Sequence, residues 1–144
     1  MNRKFLFTGR KILLVEDELV VAEKASQQLI ALGFEEVFIA TTLSQAYDTL
    51  ARDRIDAALL DVNLLGDETT VELGWSLAAD GVPIVFFSGF NADEMVRLTR
   101  GHEFMEKPIS LSRLKAALHR AALRIPSHAQ QIQNKKMAGQ TARR

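Results

Sequence analysis

Five polar side chains stand where apolar runs break off. "KILLVEDE" stops at Glu16 and Asp17, "DAALLDVN" at Asp61, "PIVFFSG" at Ser88, and "EFMEKPIS" at Lys107. A lone acid after an apolar run is usually a turn residue or a helix cap. An acidic triplet such as Glu16-Asp17-Glu18 also suits the first turn of a helix. Four such breaks, at the ends of four runs in chain order, outweigh those bland readings taken one by one. If the first and third runs are neighbouring strands, Glu16, Asp17 and Asp61 share one pocket. Three carboxylates a few ångströms apart repel one another and call for a cation. Oxygen donors without His or Cys suit a hard ion, Mg²⁺ before Zn²⁺. Mg²⁺ also leaves room for a phosphoryl oxygen. Lys107 supplies a compact positive charge and Ser88 a hydroxyl. An aspartate so placed can act as a nucleophile by way of an aspartyl phosphate.

The elements that must position these residues alternate. Short apolar runs at 12–15, 36–40 ("EVFIA"), 56–61 ("DAALLD"), 83–88 ("PIVFFS", opened by Pro83) and 103–108 ("EFMEKP") read as strands. Between them, "ELVVAEKASQQLIALGF" has Val21, Ala25, Leu29 and Leu32 at helical spacing. "TLSQAYDTLARD" shows a face of Leu43, Ala46, Tyr47, Leu50 and Ala51. "DETTVELGWSLAADG" is a weaker helix with Gly74 inside it. "NADEMVRLTRG" has Asn91 or Asp93 as cap and Gly101 as stop. "SLSRLKAALHRAALRI" carries Leu111, Leu114, Leu118, Ala121 and Ile125 as a stripe. Five strands alternating with five helices, the strands apolar on both faces, predict an α/β fold with a covered parallel sheet. In such a sheet ligands bind beyond the carboxyl ends of the strands, where the five polar residues fall.

The chain has 144 residues, enough for one domain with a full core. Residues 1–9 read as an N-terminal extension, 10–125 as the domain, and 126–144 as a basic polar tail. The tail holds Lys135, Lys136, Arg143 and Arg144 and no acid, which leaves 14 basic and 18 acidic residues in the rest. A body of that sign is a poor general binder of nucleic acid. No apolar run approaches the roughly 18–20 residues of a membrane helix, and the N-terminus does not read as a signal peptide. Cysteine is absent, which excludes disulfides and thiolate metal sites. The expectation is a cytoplasmic protein. His102, His119 and His128 lack metal-like spacing, His119 is expected to be solvated, and Trp75 is expected to serve packing or surface.

On "LLVEDE", "ALLDVNLLGDE", "IVFFSG" and "FMEKPIS", residues 10–125 resemble the receiver domain of two-component response regulators. The resemblance implies a flavodoxin-like sheet of order 2-1-3-4-5, one of the two common strand orders of doubly wound folds. It implies Asp61 as phosphoacceptor from a sensor histidine kinase or phosphotransfer protein. Asp17 and Asp61 would ligate Mg²⁺, with Glu16 acting through water and the Asn63 carbonyl completing the set. Lys107 would pair with the carboxylate and then the phosphoryl oxygens. Ser88 and Phe104 would be the switch pair, where the family more often has Thr and Tyr. "FFSGF" is also similar to the "FATGY" run of a branch of small receivers that serve unusual histidine kinases and often switch differently. With only 19 residues after 125, the expectation is a stand-alone receiver that signals to an unnamed output protein by contact. Pairing through the face of the fourth helix, fifth strand and fifth helix is compatible with the mixed charges of Asp93, Glu94, Arg97, Arg100 and Arg113.

Three other readings compete. A phosphatase of the haloacid dehalogenase type also forms an aspartyl phosphate, but wants a general acid two residues on, where this chain has Asn63. A nucleotide or flavin module would need a glycine-rich loop where "VEDE" stands. A receiver-like module that works without phosphorylation would not need the full set of acids, Ser88 and Lys107. The receiver is therefore expected to be no turnover enzyme, although it would catalyse its own phosphorylation.

Overall fold

The computed structural model describes residues 5–89, 93, 97 and 99–124. Five strands form one parallel sheet: β1 (Lys11–Val15), β2 (Glu36–Ala40), β3 (Ala57–Asp61), β4 (Ile84–Ser88) and β5 (Glu103–Glu106). Their order is β2-β1-β3-β4-β5, as expected. The helices are α1 (Leu19–Leu32), α2 (Leu43–Arg52), α3 (Val71–Ala79) and α4 (Leu111–Leu123). The last of these is the fifth helix expected from the sequence. The expected helix over 91–101 lies largely outside the described residues; Asp93, Arg97 and Thr99 are helical. Among the described residues no helix is long and apolar enough to cross a membrane.

Strand alternation divides the core into two layers. Ile12, Leu14, Leu59, Val85, Phe87 and Met105 point to one face, under Ala25 and Leu29 of α1 and Leu114 and Leu118 of α4. Leu13, Val15, Leu60, Ile84 and Phe86 point to the other, under Ala46 of α2 and Leu73 and Leu77 of α3. β3 and β4 are buried along their whole length, which is why they read as unbroken apolar runs.

Three local expectations are corrected. The buried face of α2 is Ala46 and Thr49, while Tyr47 and Ala51 are exposed. Thr49 returns its hydroxyl to the Gln45 carbonyl, 3.0 Å away, so a polar residue could take the inner position. Leu111 at the start of α4 is also exposed. His119 is half-buried with its ring stacked on Phe5, the centroids 5.6 Å apart. Phe5 and Phe7 are themselves buried and each lies 5.5 Å from the Phe34 ring. The segment ahead of β1 thus closes the aromatic end of one core layer.

Candidate functional site

Register brings the site together. Val15 pairs with Leu60 across β1 and β3, so one further step sets Glu16 beside Asp61. Asp61 pairs with Phe87 of β4, one step before Ser88. Ser88 pairs with Glu106 of β5, one step before Lys107. The Lys107 N–H then donates to the Ser88 carbonyl at 2.8 Å. Four strand ends therefore deliver Glu16, Asp17, Asp61, Ser88 and Lys107 to one edge, where Asp17, Asp61, Asn63, Ser88, Gly89 and Lys107 line a cleft of about 340 Å³.

One oxygen each from Glu16, Asp17 and Asp61 lies within 4.8 Å of the others. Backbone N–H groups steady all three acids. Glu18 donates to Glu16 Oε1 at 3.0 Å, Leu65 to Asp17 Oδ2 at 3.1 Å and Asn63 to Asp61 Oδ1 at 3.3 Å. Lys107 Nζ sits between Glu16 Oε2, 3.0 Å away, and Asp61 Oδ2, 3.3 Å away. Its nearer partner is Glu16, for which the sequence suggests only a role toward the cation. The peptide bond between Lys107 and Pro108 is cis.

Glu16, Asp61 and Ser88 are buried. Burial, and then the hydrogen bond and charge of Glu16, raise the Asp61 pKa from 3.8 to about 7, with Lys107 only partly opposing them. Burial pulls the Lys107 pKa down, but the Glu16 and Asp61 carboxylates outweigh it and hold the ammonium above its ordinary value. One lysine thus faces more negative charge than it neutralises. The donors are all oxygen, and a hard divalent cation fits that set.

Sequence reasoning missed Thr70. Its hydroxyl donates to the Asp61 carbonyl at 2.8 Å in the interior, tying the start of α3 to the end of β3. The signal available was weak: "TT" before an apolar stretch reads only as a helix start. Phe104 is half-buried beside Phe86 of β4 and packs on the same core layer. Trp75 is half-buried, with the Arg100 guanidinium 4.0 Å above its ring.

The acidic cleft adjoins an apolar groove of about 350 Å³ through Lys107, which lines both. Val20, Val21 and Ala25 of α1 form one wall, with Pro108 and Ile109 opposite. Gln28 spans the groove by donating to the Ile109 carbonyl at 3.0 Å. Leu19, Val20 and Leu65 are strongly exposed, at 70%, 81% and 78%.

Comparison with known proteins gives a consistent picture. Residues 12–119 match the family model described as the response regulator receiver domain. The chain is 27% identical over 117 residues to the transcriptional regulatory protein CrdR of Helicobacter pylori. That alignment covers 77% of this chain and 54% of CrdR, so the chain spans about half the length of the curated relative it matches. The solution structure of SdrG from Sphingomonas melonis Fr1 is 33% identical with a TM-score of 0.69, covering 80% of this chain and 97% of that one. The BeF3-activated conformation of SdrG, from Pseudomonas melonis Fr1, is 32% identical with a TM-score of 0.67, covering 78% and 95%.

Proposed function

The chain belongs to the response regulator receiver family, and on that premise we propose that Asp61 takes up a phosphoryl group from a histidine kinase or a phosphotransfer protein. The observation that carries this reading is the cleft in which Asp61 meets two further carboxylates and Lys107. An Asp61 oxygen attacks the phosphorus of a phosphohistidine. A P–O bond forms and the P–N bond breaks, its electron pair going to the imidazole nitrogen. Lys107, in reach of Asp61, stays on the phosphoryl oxygens as the carboxylate charge is consumed. Ser88 supplies a hydroxyl from the adjoining strand end.

Asp17 and Asp61, with Glu16 behind them and the Asn63 carbonyl beside them, are the residues that would hold Mg²⁺. When bound, that ion supplies charge neutralisation at the phosphoryl oxygens. The groove beside α1 and the exposed Leu19, Val20 and Leu65 support docking of an apolar partner surface next to the cleft. Output then passes by protein contact, with Ser88 and Phe104 as the pair that responds to the phosphoryl group. A second groove, lined by Phe104, Arg113 and Arg120, is suited to an output partner or a second copy of the chain.

Calorimetric titration of Mg²⁺ into the wild type and Asp17→Ala tests the cation assignment. The variant should lose binding while its fold persists. Undiminished affinity in Asp17→Ala would remove Asp17 from the site.

A further inference from the structure

The loop that follows Asp61 is a small hairpin. Asn63 and Thr69 form an isolated antiparallel bridge, and the Leu64 N–H donates to the Glu68 carbonyl at 2.9 Å. Gly66 and Asp67, both in left-handed backbone, make its turn. Two N–H groups of this loop hold the site: Asn63 donates to Asp61 Oδ1 and Leu65 to Asp17 Oδ2. Where the hairpin sits therefore decides where two of the three carboxylates point.

Thr70 closes the base of the hairpin. Its N–H donates to the Val62 carbonyl at 3.1 Å and its hydroxyl to the Asp61 carbonyl at 2.8 Å. Ladder pairing between β1 and β3 stops at Val15 and Leu60, one residue short of Asp61. A buried carbonyl past the end of a ladder needs another donor, and the Thr70 hydroxyl is that donor. The hydroxyl is thereby lost to α3. Thr70 is the N-cap of that helix, yet its side chain accepts no helix N–H. Thr42 and Ser110, the caps of α2 and α4, accept from Gln45 and Arg113 in the usual way. We propose that Thr70 is a positioning residue for the cation site: bound to the Asp61 carbonyl, it sets the hairpin from which Asn63 and Leu65 aim the Asp61 and Asp17 carboxylates. Thr70 is fully buried and acts through the loop.

This inference rests on the reading of Asp17 and Asp61 as cation ligands, and one experiment separates the two. Mg²⁺ is titrated calorimetrically into wild type, Thr70→Val and Thr70→Ser. The first variant keeps the shape and loses the hydroxyl; the second keeps the hydroxyl and loses a methyl group. Urea midpoints in chelator are taken in parallel, and labelling by acetyl phosphate is followed against Mg²⁺ concentration. Thr70→Val should bind Mg²⁺ about tenfold more weakly, as loss of an outer-shell partner does. Half-maximal labelling should need correspondingly more Mg²⁺, with the rate at saturating Mg²⁺ close to that of wild type. Thr70→Ser should match the wild-type affinity even where its urea midpoint falls. Wild-type affinity in Thr70→Val, whatever its midpoint, would overturn the proposal, since the hydroxyl would then serve the fold alone. So would Thr70→Ser binding as weakly as Thr70→Val. If Thr70→Val does not fold, Thr70→Ala is set against Thr70→Ser, the two differing only in the hydroxyl, and equal affinities there overturn the proposal. A wild type that binds no Mg²⁺ defeats the cation reading, and this inference with it.

Discussion

Lys107, on the loop after β5, places its ammonium 3.3 Å from Asp61 at the end of β3, reaching past the whole of β4. The same ammonium lies 3.0 Å from Glu16 after β1. One cation therefore serves two buried acids, with Asp17 close by. The site is short of positive charge in the protein alone, and that shortage has measurable consequences.

The first is a pH dependence of stability. In the folded protein Asp61 holds its proton to about pH 7, while its ordinary pKa is 3.8. Between those values the folded state binds more protons than the unfolded one, so stability falls as pH rises. The contribution is complete below the lower value and gone above the upper one. Urea midpoints in chelator should therefore decline between about pH 4 and about pH 7. Asp61→Asn should flatten that decline and stabilise the cation-free protein at pH 8 by ~1–2 kcal/mol, since like-charge repulsion is removed. An equal decline in wild type and Asp61→Asn would assign it to another group.

A second prediction concerns packing beneath the site. Gly74 of α3 lies so close to Phe86 that an alanine Cβ would sit 2.3 and 2.6 Å from its ring carbons. Phe86 is fully buried and has little room to move. Gly74→Ala should cost about 1–3 kcal/mol, the usual range for overpacking. Trimming the ring in the double variant Gly74→Ala, Phe86→Leu should recover part of the loss beyond additivity. Denaturant unfolding checks both, and strict additivity would show that the contact is not the cause.

A third prediction follows the signal. If Ser88 and Phe104 respond to the phosphoryl group, the chain between them is the element whose two states differ in free energy. Beryllofluoride, which stands in for the phosphoryl group, should change amide hydrogen exchange from Ser88 to Phe104. Protection altered only around Glu16, Asp17 and Asp61 would show that this stretch does not carry the signal.

Much of this was legible in the sequence. The strands were plain because both faces of β3 and β4 are buried, and a run without alternation leaves little ambiguity about a covered parallel sheet. The meeting of the candidate residues at one sheet edge was legible because polar residues, Asp61 and Ser88, end those runs on the same side. Pairing inside the site was less legible. Lys107 lies nearer Glu16 than Asp61 because of where the loop after β5 turns, which residue types do not encode. Thr70 was missed because a helix-start threonine looks the same whether it caps its own helix or reaches a carbonyl nine residues back. The aromatic closure by Phe5, Phe7 and His119 joins segments more than 100 residues apart, beyond the reach of any local pattern.

The central claim is that Asp61 is the phosphoacceptor, and intact-mass measurement after incubation with acetyl phosphate and Mg²⁺ tests it most directly. The wild type should gain the mass of one phosphoryl group, and the gain should vanish in chelator. Asp61→Asn keeps the size and shape of the side chain but lacks the carboxylate nucleophile, so it should gain nothing. Labelling of Asp61→Asn to the wild-type extent would place the phosphoryl group elsewhere and contradict the account.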